Sequence, residues 1–190
     1  MSTWINKTVE RASWLHFALW FAAWWAVSWF FFYRDSAWTR SLSAGGGKLP
    51  ESQAGFPPIE PQRSFDALNA AGATPDYILW QALDIPFALI SAISQISIMA
   101  LALRATRQGA GPLRFLLLVP PLYVAAELVE NALVAAFAAE VIAPAEGVVL
   151  VQQLATTIKL GAGWGSVGIA LVALAVALIA GLVGLVKKRG

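Results

Sequence analysis

The chain has 190 residues, 58% hydrophobic and 13% charged, with a formal net charge of +2; soluble domains average about 45–50% apolar and about 25% charged. That balance belongs to a protein whose partner is the lipid bilayer rather than nucleic acid. The lack of cysteine excludes disulfides, thiolate zinc sites, iron–sulfur clusters and cysteine nucleophiles, and the single histidine excludes a two-histidine metal or haem site within one chain.

A hydrocarbon core about 30 Å thick needs roughly 20 apolar residues of helix. Four stretches meet this requirement: residues 14–33, 79–103, 115–139 and 149–186. The fourth is long enough to start outside the bilayer, tilt or bend. The expected fold is therefore all-α, a polytopic four-helix membrane bundle forming a single domain over residues 1–190. The first span is too long, and too rich in tryptophan, for a cleaved signal peptide.

Charge places the ends. The N-terminal segment carries Lys7 and Arg11, the connection "RATRQGAGPLR" carries Arg104, Arg107 and Arg114 without an acid, and the tail closes on Lys187, Lys188 and Arg189. The connection before the fourth span has Glu140 and Glu146 and no base. An excess of lysine and arginine marks cytoplasmic segments, so both termini are expected in the cytoplasm of a bacterial inner-membrane protein. Residues 34–78 then form one long periplasmic loop. Its first part, "SLSAGGGKLPESQAGFPPIEP", reads as irregular chain. Its second part, "RSFDALNAAGATPDYILW", reads as a short helix with Ser64 as a possible cap, Phe65 and Leu68 on one side and Gly72 as the stop.

The first span is dominated by aromatic residues. Trp20, Trp24 and Trp25 lie too deep for an interfacial belt and are expected to face lipid, a quinone or a pigment, or to meet a membrane-protein partner or a second copy of the chain. His16 lies less than one turn inside the span; as well as an interfacial residue, it is a possible axial ligand for a haem or pigment. The identity of any cofactor is left open.

Polar groups inside the other spans carry the strongest signal. Glu127, Glu130 and Asn131 stand at i, i+3 and i+4, with Tyr123 one turn earlier, so the four share a helix face. Asp84 lies in the second span. Lys159 lies in the fourth, with Gln152 and Thr156 on its side. At 1.5 Å per residue, Glu127 and Glu130 sit about 8–12 Å from the outer face of a 30 Å core, Lys159 about 14 Å and Asp84 about 8 Å. The matched depths make Lys159 the expected partner of the carboxylates. An unpaired charge at mid-bilayer costs at least about 2.5–3.5 kcal/mol on insertion scales.

"YILWQALDIPFALISAIS", "VPPLYVAAELVENALVAAF" and "LATTIKLGAGWG" together resemble a largely uncharacterised family of small bacterial four-span membrane proteins. Asp84 with Pro86, Glu127, Glu130-Asn131 and Lys159 match its pattern, with Glu at 127 where the family tends to carry Asp. The resemblance covers residues 65–164. It implies the four-helix fold and supports the polar residues as a unit; it implies no activity.

Other motifs weigh less. "GWGSVG" fits G-x-G-x-x-G but lies within a span, without the strand that a dinucleotide site needs. Gly161 and Gly165 form a GxxxG pair suited to close helix packing. Ser166 lacks a nucleophile elbow, and His16 is near the opposite face. Pro86, Pro120 and Pro121 are expected to kink the second and third spans, and the glycines at 161–168 to loosen the fourth. No enzyme, metal or catalytic site is expected. The leading expectation is an accessory or structural membrane subunit. The alternatives are a proton- or ion-handling protein using the carboxylate–lysine cluster, and a haem- or pigment-associated subunit using His16. The orientation is testable: a reporter active only in the periplasm should give signal when fused after Gly55 and none after Gly109 or Gly190. Signal from the Gly109 fusion would overturn it.

Overall fold

A computed structural model describes residues 2–32, 36–45, 49 and 59–189. The described residues form seven α-helices: α1 (Ser2–Arg11), α2 (Trp14–Phe32), α3 (Ala37–Ala44), α4 (Ile59–Ala70), α5 (Thr74–Ala105), α6 (Val119–Ala138) and α7 (Glu146–Arg189). A 3-10 segment, Pro112–Leu118, leads into α6. The described residues contain no strand. Four stretches are long and apolar enough to cross a bilayer: Trp14–Phe32, Thr74–Ala105, Pro112–Ala138 and Glu146–Gly184.

The helix α5 is the hub of the bundle. It packs against α6, α7 and α2, and at its ends against α1, α3 and α4. The helices α6 and α7 also pack along each other. Uniformly apolar α2 has only Phe31 buried within the chain, and it leans chiefly on α5.

Three apolar cores are present among the described residues: a small one joins Phe31 of α2 and Ala37 of α3 to Trp80 of α5, and two larger ones lie at opposite ends of the bundle. At one end, Ile5, Val9 and Ala12 seat α1 against Ile98–Leu103 of α5, with Leu117, Ala173 and Ala177. The spacing i, i+4, i+7 puts these three residues of the first segment on one helical stripe. The Arg104 guanidinium donates to the Ala12 carbonyl at 2.6 Å, which ties the α1–α2 junction to the end of α5. At the other end, α4 covers the bundle: Phe65 and Leu68 meet Tyr77, Val134, Phe137 and Val149. The Phe65 ring lies 6.1 Å from Tyr77 and 6.0 Å from Phe137. Arg40 of α3 grips Asp76 through two 2.7 Å bonds and fixes the cap to the start of α5.

Several sequence expectations change. Residues 41–44, expected as irregular chain, belong to a helix that starts at Ala37, because Ser36 caps it: Thr39 N–H donates to Ser36 Oγ at 3.2 Å. The irregular reading of 46–48 and 50–58 and the end of the first span at Tyr33 lie outside the described residues. The helix α4 starts at Ile59, so residues 59–61 are helix rather than irregular chain, and Ser64 is an interior residue and not its cap. Gly72 does stop it, at φ +66°, with Ala73 N–H returning to Leu68 O at 2.8 Å. Pro120 and Pro121 do not kink a helix; they stand in the first turn of α6, where their missing N–H groups have no intrahelical partner to lose. The glycines at 161–168 leave α7 continuous.

The docking of α1 is open to test. The native chain has no cysteine, so Ala100→Cys, fully buried behind α1, gives a single thiol. In that background a membrane-permeant maleimide should label slowly, and Ile5→Asp with Val9→Asp should raise the rate at least tenfold without loss of membrane insertion. An unchanged rate would mean that α1 does not cover this surface.

Candidate functional site

Between the two larger apolar cores the buried layer is polar. Gln81 and Asp84 come from α5, Glu127, Glu130 and Asn131 from α6, and Gln152, Thr156 and Lys159 from α7. All eight are buried, and Glu130 has no exposed surface. Each set recurs at three- or four-residue steps, so each helix turns one polar stripe inward.

Lys159 lies between the two glutamates. Its Nζ is 3.4 Å from Glu127 Oε1 and forms a closer ion pair with Glu130 Oε2. Glu130 also accepts a hydrogen bond from the Thr156 hydroxyl, which in turn accepts from Gln152 Nε2 at 2.8 Å. Asn131 Nδ2 reaches Asp84 Oδ2 and the Gln81 carbonyl, both at 3.4 Å, and so links α6 to α5. Asp84 and Tyr123 are the remaining polar neighbours of Glu127. The residues singled out by helix spacing and depth, Asp84, Tyr123, Glu127, Glu130, Asn131 and Lys159, thus stand together.

The two glutamates differ in access. Glu130 is enclosed by α7 and by the α4-capped core. Glu127 and Lys159 instead border a cleft of about 460 Å³ between α2 and α7, together with Tyr123 and the rings of Trp24, Phe87 and Trp164. The cluster therefore opens sideways, toward the space that lipid would occupy, whereas Tyr77 and Phe137 stand between it and the capped end.

Sequence reasoning missed the continuation of this stripe. Ser91 and Ser94 of α5 and Ser166 of α7 are also buried, and Ser166 donates to Gln95 Oε1 at 2.6 Å. The step from Asp84 to Ser91 is seven residues, the spacing of one helical face over two turns, and it was the available signal. Among the described residues Ser91 Oγ has no hydrogen-bond partner. The close approach expected at Gly161 and Gly165 occurs at Gly163 instead. A Cβ there would lie 3.3 Å from the Tyr123 ring, while one at Gly161 or Gly165 would meet nothing within 4 Å.

The first-span residues do not form one surface. Trp20 and Trp24 border clefts inside the fold, while Trp25 is exposed and stacks on Trp29 with ring centroids 5.9 Å apart. His16 is exposed beside a cavity of about 350 Å³, with Trp4, Thr8 and Arg11 but no second metal-ligating side chain among the lining residues. Among the described residues no group of three or more acidic, histidine or cysteine side chains is arranged to hold a metal.

No family model matches the chain, and no curated protein and no solved structure matches it. The functional reading therefore rests on the residues and their geometry.

The ion pairs predict a pattern of damage and rescue. Lys159→Met should lower stability by about 3–5 kcal/mol, because it leaves buried carboxylates without their cation. Adding Glu130→Gln should restore more of that loss than adding Glu127→Gln, since Glu130 is the more deeply enclosed and makes the closer pair. Unfolding in detergent, followed by tryptophan fluorescence, measures both. Equal and purely additive damage in the two double mutants would mean that the charges do not share an interaction.

Proposed function

We propose that this chain is a small proton-handling protein of the bacterial inner membrane, with both termini cytoplasmic, and that the Asp84, Glu127, Glu130 and Lys159 cluster is its working group. The observation that carries this reading is the charge count among buried side chains. Three carboxyl groups share one ammonium group, which leaves two formal negative charges to be neutralised by protons or by a cation. Among the described residues no arrangement suits a metal, so protons are the simpler counter-charge. Ionisable side chains inside membrane spans commonly serve as proton relays. The geometry suits such a relay: Lys159 is shared by two carboxylates, one enclosed and one beside a cleft, so a proton moving between them changes little in the packing around it. No bond-making chemistry is part of the proposal.

A second reading, an accessory subunit held to a membrane partner or to a second copy, is favoured by the Trp25 and Trp29 pair. Both rings are more than half exposed, at 59% and 55%, and stacked aromatic residues of this kind serve as interface anchors.

The proton reading predicts uptake in a simple system. In liposomes holding a pH-sensitive dye, with a membrane potential imposed by a potassium gradient and an ionophore, the wild-type protein should raise the rate of internal acidification above that of empty liposomes. Glu127→Gln should reduce the excess at least tenfold while leaving the thermal midpoint within a few degrees. A wild-type rate equal to that of empty liposomes would refute proton handling. Activity that survives Glu127→Gln would remove Glu127 from the path.

A further inference from the structure

The cleft beside Glu127 and Lys159 does not end there. A second cavity, about 150 Å³, lies further along α2, between Phe17, Phe21 and Leu174. The two share Trp24, Ser91, Gln95 and Val167 on their walls. Together they form a trough floored by α5, with α2 on one side and α7 on the other. From Phe32 to Phe17 it follows α2 for about 22 Å at 1.5 Å per residue. Its two ends are chemically unlike. One end presents Glu127, Lys159 and Tyr123 among aromatic rings, and the other is lined by apolar side chains. Between them sits Ser91, only 4% exposed, whose hydroxyl has no partner among the described residues. A buried hydroxyl left unpaired costs about 1–3 kcal/mol, so a group that bonds to it has a place there.

We propose that this trough binds one long-tailed, uncharged ring compound of the quinone class, its carbonyl end beside Ser91, Glu127 and Lys159 and its tail lying between α2 and α7. Four observations select this chemistry. The polar end lies below the depth of a phospholipid headgroup, about 8–14 Å inside the hydrocarbon if the helices cross as the loop charges indicate, so the occupant's polar group must itself be lipid-soluble. The cluster already holds more carboxyl groups than its one ammonium can pair, so it offers an anionic head no spare positive charge. The rings of Trp24, Phe87, Tyr123 and Trp164 line the wide end, and aromatic walls favour a flat ring through offset or edge contacts. Finally, the unpaired Ser91 hydroxyl can donate a hydrogen bond to a carbonyl oxygen. The wide end, at about 460 Å³, falls within the usual range for sites that enclose a small ligand, roughly 300–1,000 Å³. The inference shares its cluster with the proton reading but requires only binding.

The test uses the full chain in nanodiscs of neutral lipid and a benzoquinone carrying a decyl tail. Trp24 and Trp164 border the site, so the quinone should quench tryptophan fluorescence with saturation at one molecule per chain. Val167→Trp, which fills the trough where its two parts join, should weaken binding at least tenfold. Ser91→Ala should weaken it about three- to tenfold, the worth of one hydrogen bond. Thermal midpoints within a few degrees of wild type exclude misfolding in each, and either variant alone is a sufficient test. Decylbenzene, which has the tail and ring but no carbonyl, should not displace the probe, and decanoate should not compete.

Quenching that does not saturate, or that is unchanged in either variant whose thermal midpoint is kept, overturns the proposal. Displacement by decylbenzene would show a trough that merely holds lipid chains, and displacement by decanoate an anion site; either result overturns it too. The two readings fail separately. Saturable binding with no proton uptake would remove the relay alone, and proton uptake without saturable binding would remove the quinone site alone.

Discussion

The bundle is organised around one awkward group, the ammonium of Lys159 held away from water. An ion of that size in a low-dielectric interior carries a desolvation penalty of several kcal/mol even after relaxation. The structure meets that penalty with two carboxylates from α6, one of them supported in turn by Thr156 and Gln152. Once α6 and α7 are fixed to each other by this pairing, α5 must supply Asp84 and Gln81 opposite Asn131. Three of the four long helices thus have their rotation set by polar contacts. In a bilayer this counts for more than in water, because lipid offers no competing hydrophobic drive to choose among helix faces. The fourth long helix, α2, has no such group and stands at the edge.

The legible and illegible parts of the molecule divide along the same line. The polar cluster could be read from the chain because charge in hydrocarbon is costly enough to leave a clear pattern, and because helical rise converts residue number into depth. Spacing alone placed Glu127, Glu130 and Asn131 on one face, and depth alone matched them to Lys159. The amphipathic helix α1 was harder to see, since Ile5, Val9 and Ala12 make a stripe only two turns long among polar residues. The helix α3 was hidden by the glycines that follow it, although Ser36 already stood as its cap. The trough was beyond sequence reasoning for a different reason. It depends on how α2 leans against α5, and a helix apolar on every side carries no mark of which face turns inward.

The layering of the interior also limits how the cluster communicates. Aromatic and aliphatic packing lies at both ends, with Tyr77 and Phe137 on one side and Ile98 and Leu117 on the other. The polar stripe of Ser91, Ser94, Gln95 and Ser166 reaches partway toward the second core and stops there. A water-filled pore would need polar groups through both cores. What the structure has instead is a buried polar cluster with a lateral cleft beside Glu127 and Lys159.

The brief connection between α6 and α7, residues 139–145, bears on how the chain is made. A helix carrying Glu127, Glu130 and Asn131 enters hydrocarbon poorly by itself, and its counter-ion lies on the next helix. Because only seven residues separate the two helices, Lys159 is synthesised about 30 residues after the glutamates, at roughly 5–20 residues per second, within a few seconds of them. The pair can then enter lipid as one electrically matched hairpin, whose turn carries the acid Glu140 and no base. Lengthening that turn would separate the charges in time as well as in space, and α6 would face the lipid without its cation during the interval in which its course is decided.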